Sequence, residues 1–119
     1  MSHIVSIKTQ LRNPVAITAA CTRLGLPAPV QGTVKLYSGY ATGLQIRLPN
    51  WRYPVVVNTE TGQARLDNFG GTWGDRAHLD RFLQAYAVEL TKSQARTKGF
   101  QVTEQALQDG SIKVQILES

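Results

Sequence analysis

From its second residue the chain alternates: His3, Val5, Ile7 and Thr9 fall on one side and Ile4, Ser6, Lys8 and Gln10 on the other. That is the period-2 pattern of a half-buried strand, and it predicts one over Ser2 to Gln10. The period then lengthens. Ile17, Ala20, Cys21 and Leu24 recur at spacings of 3 and 4, on one face of a helix. Asn13 stands where its side chain caps that helix, and Pro14 takes the first helical position, where a missing amide costs nothing. Gly25 and Pro27 end it.

From Thr33 to Asn68 the pattern becomes short β-prone runs between turn residues, and four strands fit. Thr33 to Ser38 and Gly43 to Leu48 flank the connection Ser38-Gly39-Tyr40-Ala41-Thr42. Tyr53 to Asn58 and Gln63 to Asp67 flank Thr59-Glu60-Thr61-Gly62, so both pairs read as hairpins. Pro49 and Pro54 lack the donor a central strand needs, which makes the Pro49 to Pro54 segment an edge, a strand start or an exposed loop. Asp75 is placed to cap a second helix running to about Lys98, with Leu79, Phe82, Leu83, Tyr86, Ala87 and Leu90 as its apolar stripe. Lys92, Arg96 and Lys98 gather at its C-terminal end, where cations suit the dipole, and Gly99 terminates it. Phe100 to Ala106 and Ile112 to Leu117 form a last hairpin around Asp109-Gly110.

The element order is therefore β-α-β-β-β-β-α-β-β. It predicts an α+β fold: a single domain over residues 1–119 with a largely antiparallel sheet of six or seven strands. Two helices cover one face of that sheet, and the other face is partly open. At 119 residues, 42% hydrophobic and 18% charged, such a chain buries a core without staples. A single cysteine, Cys21, permits no internal disulfide, and no basic flank and apolar core open the chain as a leader would. The expectation is a cytoplasmic protein with no membrane span.

Charge changes the picture. The first acidic residue is Glu60, so Lys8, Arg12, Arg23, Lys35, Arg47 and Arg52 stand unopposed in the first half, whereas seven cations meet eight carboxylates in the remainder. The net +5 is +6 from the first half and −1 from the remainder, and a field of that kind attracts phosphate or acidic protein surface.

Two constellations carry candidate chemistry. Trp51-Arg52-Tyr53, with Lys35, Arg47, Tyr37 and Tyr40 on neighbouring strands, interleaves aromatics with cations. That suits base stacking with phosphate neutralisation, and it also suits a packed hairpin edge with solvated charges, the reading favoured by the lack of an RNP-like aromatic signature or a basic-rich helix. Phe69-Gly70-Gly71-Thr72-Trp73-Gly74-Asp75 leads into a helix start, where free amides could hold an anion. It has neither the dinucleotide fingerprint nor the Walker pattern, and Asp75 opposes an anion there. A tight connection with Trp73 packed over the sheet is the other reading, its three glycines implying close backbone approach. His3, His78 and Cys21 lie on different elements with no ligand spacing, so no metal or other cofactor is expected. No arrangement of nucleophile, base and acid, and no pair of carboxylates, marks a catalytic residue.

Met1-Ser2-His3, Ile7-Lys8-Thr9-Gln10-Leu11-Arg12, Tyr86-Ala87, Gly99-Phe100 and Asp109-Gly110-Ser111-Ile112 together resemble a family found in plastid, cyanobacterial, other bacterial and phage genomes. It is the uncharacterised family called domain of unknown function 1257. The resemblance covers both ends and the second helix and does not extend over Gly25 to Asn68. It brings no catalytic residue, but the association of bacterial members with an ATPase of the AAA type implies an adaptor on a protein assembly.

The expected function is a non-catalytic binding or adaptor module that docks on such an assembly through Lys8, Arg12, Lys35, Arg47, Trp51, Arg52 and Tyr53. The alternative is sequence-neutral nucleic-acid binding by the same surface. A third reading places a small-ligand or enzyme site at Gly70, Gly71 and Trp73. Free strand edges also leave room for a homodimer.

Overall fold

A computed structural model describes residues 5–7 and 10–117. The order of elements is that predicted: β1 (Val5–Ile7), α1 (Pro14–Arg23), β2 (Val30–Leu36), β3 (Gly39–Ile46), β4 (Val55–Asn58), β5 (Gln63–Leu66), α2 (Arg76–Thr97), β6 (Gln101–Ala106) and β7 (Ile112–Leu117). All pairings among the described residues are antiparallel. The seven strands divide between two sheets, a five-stranded one in the order β1-β5-β4-β3-β2 and the separate hairpin β6-β7. Of the expected first strand, Val5–Ile7 is seen, pairing with β5; His3, Lys8 and Thr9 lie outside the described residues.

Local chemistry sets the helix ends. Asn13 Oδ1 accepts from the Ala16 amide at 3.0 Å, and Asp75 Oδ1 accepts from the Ala77 amide at 2.9 Å, each satisfying a donor that the first turn leaves free. The amides of Leu24 and Gly25 close the end of α1, and those of Lys98 and Gly99 that of α2. Both helices lie on one face of the large sheet. Ile17, Ala20 and Cys21 of α1 meet Leu79, Phe82 and Tyr86 of α2 over Ile46, Val55, Val57, Ala64 and Leu66. Phe82 and Ile17 are fully buried there. Tyr86 ties the layers at their rim: its hydroxyl donates to the Gln10 carbonyl oxygen and accepts from the Asn13 amide, each at 3.3 Å.

The connection between β2 and β3 is tighter than the sequence suggests. Only Tyr37 and Ser38 turn the chain, and Gly39 to Thr42 continue as strand, because Lys35 to Thr33 pair with Tyr40 to Thr42. The hairpin then does something no strand pattern announces. β3 pairs with β4 only through Leu44 to Ile46, so a straight hairpin would carry its tip away past Asn58. Instead the tip returns to the opposite end of the sheet, where the Ser38 amide donates to Asp67 Oδ2 at 3.3 Å. The ladder folds where Gly32 and Gly43 face one another. A Cβ at position 43 would lie 2.3 Å from the Val57 carbonyl oxygen, so only glycine admits the bend. Leu36, Ala41 and Val56 become buried between the folded hairpin and the sheet, with Val34 and Tyr53 beside them. The second face of the sheet, expected to be partly open, is thus covered in part by the chain's own hairpin.

The β6-β7 hairpin is held to the helices by charge as well as packing. Glu104 accepts from both terminal nitrogens of Arg23, one of them at 3.1 Å, and from Lys92 at 2.8 Å. Glu89 lies 3.2 Å from Lys92 and 3.6 Å from Arg23. One of the six cations of the acid-free segment is therefore spent on architecture.

Candidate functional site

The two constellations read separately from the sequence are one place in the structure. The loop after β3 carries Trp51, Arg52 and Tyr53, and the loop after β5 carries Phe69, Gly70, Gly71 and Trp73. The two loops are joined backbone to backbone, the Arg52 amide donating to the Trp73 carbonyl oxygen at 2.8 Å. Trp73 is the hub. Its ring stacks on Phe69 with centroids 4.8 Å apart, tilts against Tyr37 at 5.1 Å and meets Tyr53 edge-on at 5.7 Å. The Arg52 guanidinium lies over Trp73, with Cζ 5.2 Å from the ring centroid, and over Tyr53 at 5.8 Å, a cation held by two π faces. Tyr37 comes from the folded hairpin tip and remains 58% exposed, so the cluster meets solvent through it and through Arg52.

Trp51 faces the other way. Its indole nitrogen donates to the Asp75 carbonyl oxygen at 3.0 Å, and the ring packs against the main core. It also occupies the space a side chain at position 74 would need: a Cβ there would lie 2.3 Å from the indole. Gly74 is thus the close-approach glycine of this loop. Gly70 and Gly71 are not crowded; they take positive φ values of 62° and 103° in the 3-10 turn Phe69–Gly71. The amides of Gly71, Thr72, Trp73 and Gly74 donate to the loop carbonyls of Asn68, Phe69 and Gly71. These four amides are spent inside the turn, and the loop presents Trp73.

Beneath the cluster sits Asp67, fully buried, its Oδ2 accepting from Ser38 and its Oδ1 without a hydrogen bond. It anchors the hairpin tip that delivers Tyr37. Nothing in the sequence singled it out, since a lone carboxylate at a strand end reads as solvated.

The cations do not form one surface. Arg47, exposed, follows β3 at the same sheet end as Arg52, and Lys35 stands directly opposite Tyr40 near the hairpin tip. Arg12 is at the other end, its Nε donating to Gln10 Oε1 at 2.8 Å beside the β4–β5 turn, where the Leu11 amide donates to the Gly62 carbonyl oxygen. Lys8 lies outside the described residues. Cys21 is buried in the core, and burial pushes its thiol up to about 11, as suits a small apolar side chain. His78 is half-buried and lines a small cleft together with Leu24, Leu26 and Leu48. Among the described residues no His, Cys, Asp and Glu side chains gather in threes as a metal site would require, and no helix is long and apolar enough to cross a membrane.

Compared with protein-family models, curated proteins and solved structures, the chain matches none.

Proposed function

We propose that this chain is a cytoplasmic binding module, an adaptor of the family it resembles, that docks on a partner protein through the surface where Arg52, Tyr37, Tyr53 and Trp73 meet. The observation that supports this reading is the Arg52 guanidinium held over Trp73 and Tyr53 beside the exposed Tyr37. Trp, Tyr and Arg are the residue types that dominate binding energy at protein interfaces. Here they are ordered by ring packing before any partner arrives, so less side-chain freedom is lost on docking. An ATPase-containing assembly with an acidic docking surface fits the charge. The test is quantitative capture from lysate by the wild type and by an Arg52→Glu/Tyr37→Ala variant of unchanged circular dichroism. The reading predicts a partner depleted about tenfold or more from the variant; identical capture profiles sink it.

Sequence-neutral nucleic-acid binding is the second reading, supported by the same exposed Tyr37 next to an arginine, a pairing on which a base can stack. It requires salt-sensitive binding, with log K falling by about 0.7 to 0.9 per phosphate contact. Anisotropy titration with mixed short oligonucleotides at low salt decides it, and no binding there eliminates it.

A further inference from the structure

Folding the hairpin back leaves a cleft of about 360 Å3 on the far face of the large sheet. Three consecutive residues of β3, Tyr40, Ala41 and Thr42, line one side of it. A strand seen face-on shows only alternate residues, so three in a row mean that the edge of β3 forms this wall. The floor is the opposite case. Val56 and Asn58 of β4, with Gln63 and Arg65 of β5, are alternate residues, and they present a sheet face. The cleft is a trough between a strand edge and a sheet face.

The edge is chemically unfinished. β3 pairs with β4 only at Leu44 to Ile46, and no described strand pairs with Tyr40 to Thr42 on the side away from β2. The two-residue turn makes Leu36 and Gly39 the closing hydrogen-bonded pair, and the antiparallel alternation then turns the N–H and C=O of Ala41 and Gly43 toward β2. Those of Tyr40 and Thr42 point outward, into the trough. Val56 and Ala41, 3% and 4% exposed, are already covered by the folded hairpin, so what the floor offers is polar: Asn58, Gln63 and one cation, Arg65. Arg65 forms no ion pair among the described residues, whose ion pairs all involve Arg23, Arg76 or Lys92.

We propose that this trough is a peptide-binding site: an extended segment of a partner protein adds as a strand to the Tyr40–Thr42 edge of β3 and sets a carboxylate on Arg65. Main-chain bonds to Tyr40 and Thr42 supply register and affinity, as in strand addition generally. Arg65 selects acidic sequences through a planar, bidentate contact. The site rests on the reading of the chain as a protein-binding module, yet uses none of the residues of the Arg52 patch, so each fails separately.

The test starts from a random peptide library displayed on phage and selected on the wild-type protein. Binders should carry Asp or Glu, or a free C-terminal carboxylate. The best of them, made synthetically, should slow amide hydrogen exchange at Tyr40 and Thr42. Arg65→Glu should weaken its binding about tenfold or more. Thr42→Pro should do the same while keeping the hairpin, because the donor it removes faces away from β2, a position where proline is tolerated. Arg52→Glu, which leaves the Tyr37–Trp73 contact and the hairpin intact, should bind the peptide as the wild type does. The inference is overturned if selection returns no binder, if the binders are not acidic, or if Arg65→Glu and Thr42→Pro both leave affinity unchanged. A peptide that loses binding only in Arg52→Glu moves protein recognition to the aromatic patch and removes it from the trough. Protection of Tyr40 and Thr42 by an oligonucleotide, with none by the selected peptide, also overturns it.

Discussion

The Arg52 amide donates to the Trp73 carbonyl oxygen at 2.8 Å while the Arg52 guanidinium lies over the Trp73 ring, its Cζ 5.2 Å from the centroid. One residue thus grips the other by backbone and side chain together. The backbone bond fixes the distance between the two loops, and the ring then orients the cation. A residue 21 positions away in sequence becomes the platform on which Arg52 is presented.

Trp73 should accordingly matter to more than its own loop. Trp73→Ala removes three ring contacts, each worth about 0.5 to 1.5 kcal/mol beyond buried area, and frees Arg52. Chemical denaturation should show a loss of about 2 kcal/mol or more, and amide exchange at Tyr37 should accelerate because the hairpin tip loses its support. Unchanged exchange at Tyr37 would show that Asp67 alone holds the tip.

Gly74 and Trp51 form a tight pair that a double-mutant cycle can read. Gly74→Ala places a methyl group 2.3 Å from the indole, and Trp51 must move or the loop must. The expected cost is about 1 to 3 kcal/mol, as for overpacking elsewhere. In the background of Trp51→Ala the same change should cost much less, since the obstructing ring is gone. Additive costs would mean that position 74 objects to alanine for its backbone and not for the ring.

The hydroxyl of Tyr86 bridges Gln10 and Asn13 across 73 residues or more, at the start of α1. Tyr86→Phe keeps the ring in the core and removes only those two bonds. A loss of about 1 kcal/mol is expected, with faster amide exchange at Asn13. This assigns Tyr86 a structural role, and a wild-type melting curve for the variant would contradict it.

Acid should loosen the β6-β7 hairpin late. Arg23 first, then Lys92, hold the Glu104 carboxyl below its ordinary value of 4.5, at about 2. A carboxylate with a lowered folded-state pKa stabilises above its unfolded value and loses that contribution as pH falls through the folded one. The loss therefore falls between about pH 4.5 and pH 2. It is modest, because 27% of the Glu104 side chain is exposed and solvent screens the pair. Urea midpoints of the wild type and of Glu104→Gln should differ at pH 6 and converge toward pH 2; a constant gap would remove Glu104 from the acid transition.

Much of this fold was legible because its signals are local. A helix start needs only a capping side chain and a period of 3.6, and Asn13-Pro14 and Asp75 supply those within a few residues. The Asp109-Gly110 turn is equally local: Ser111 donates to Asp109 from its amide and hydroxyl, and Gly110 takes a φ of 89°. The β2–β3 turn was misplaced by its own glycine, since Gly39 followed by Tyr40 and Ala41 reads as loop until Lys35 and Val34 are found opposite. Of the site, the residues were legible and their meeting was not. Trp51, Arg52, Tyr53, Gly70, Gly71 and Trp73 stood out by type, but composition carries no distance, and the cationic run suggested a single surface that Arg12, at the far end of the sheet, does not join.

By itself the sequence determined the class, the order of the elements and the positions of both helices, because hydrophobic period, capping and turn chemistry act over a few neighbouring residues. The tertiary structure decided the rest: that the β2–β3 hairpin doubles back at Gly32 and Gly43, that Asp67 is buried beneath its tip, that Trp73 gathers Arg52 and three aromatic rings, and that β3 is left with a free edge beside Arg65. Each of these depends on which surfaces come together once the sheet has formed, and contacts between residues tens of positions apart leave no periodic trace in the chain.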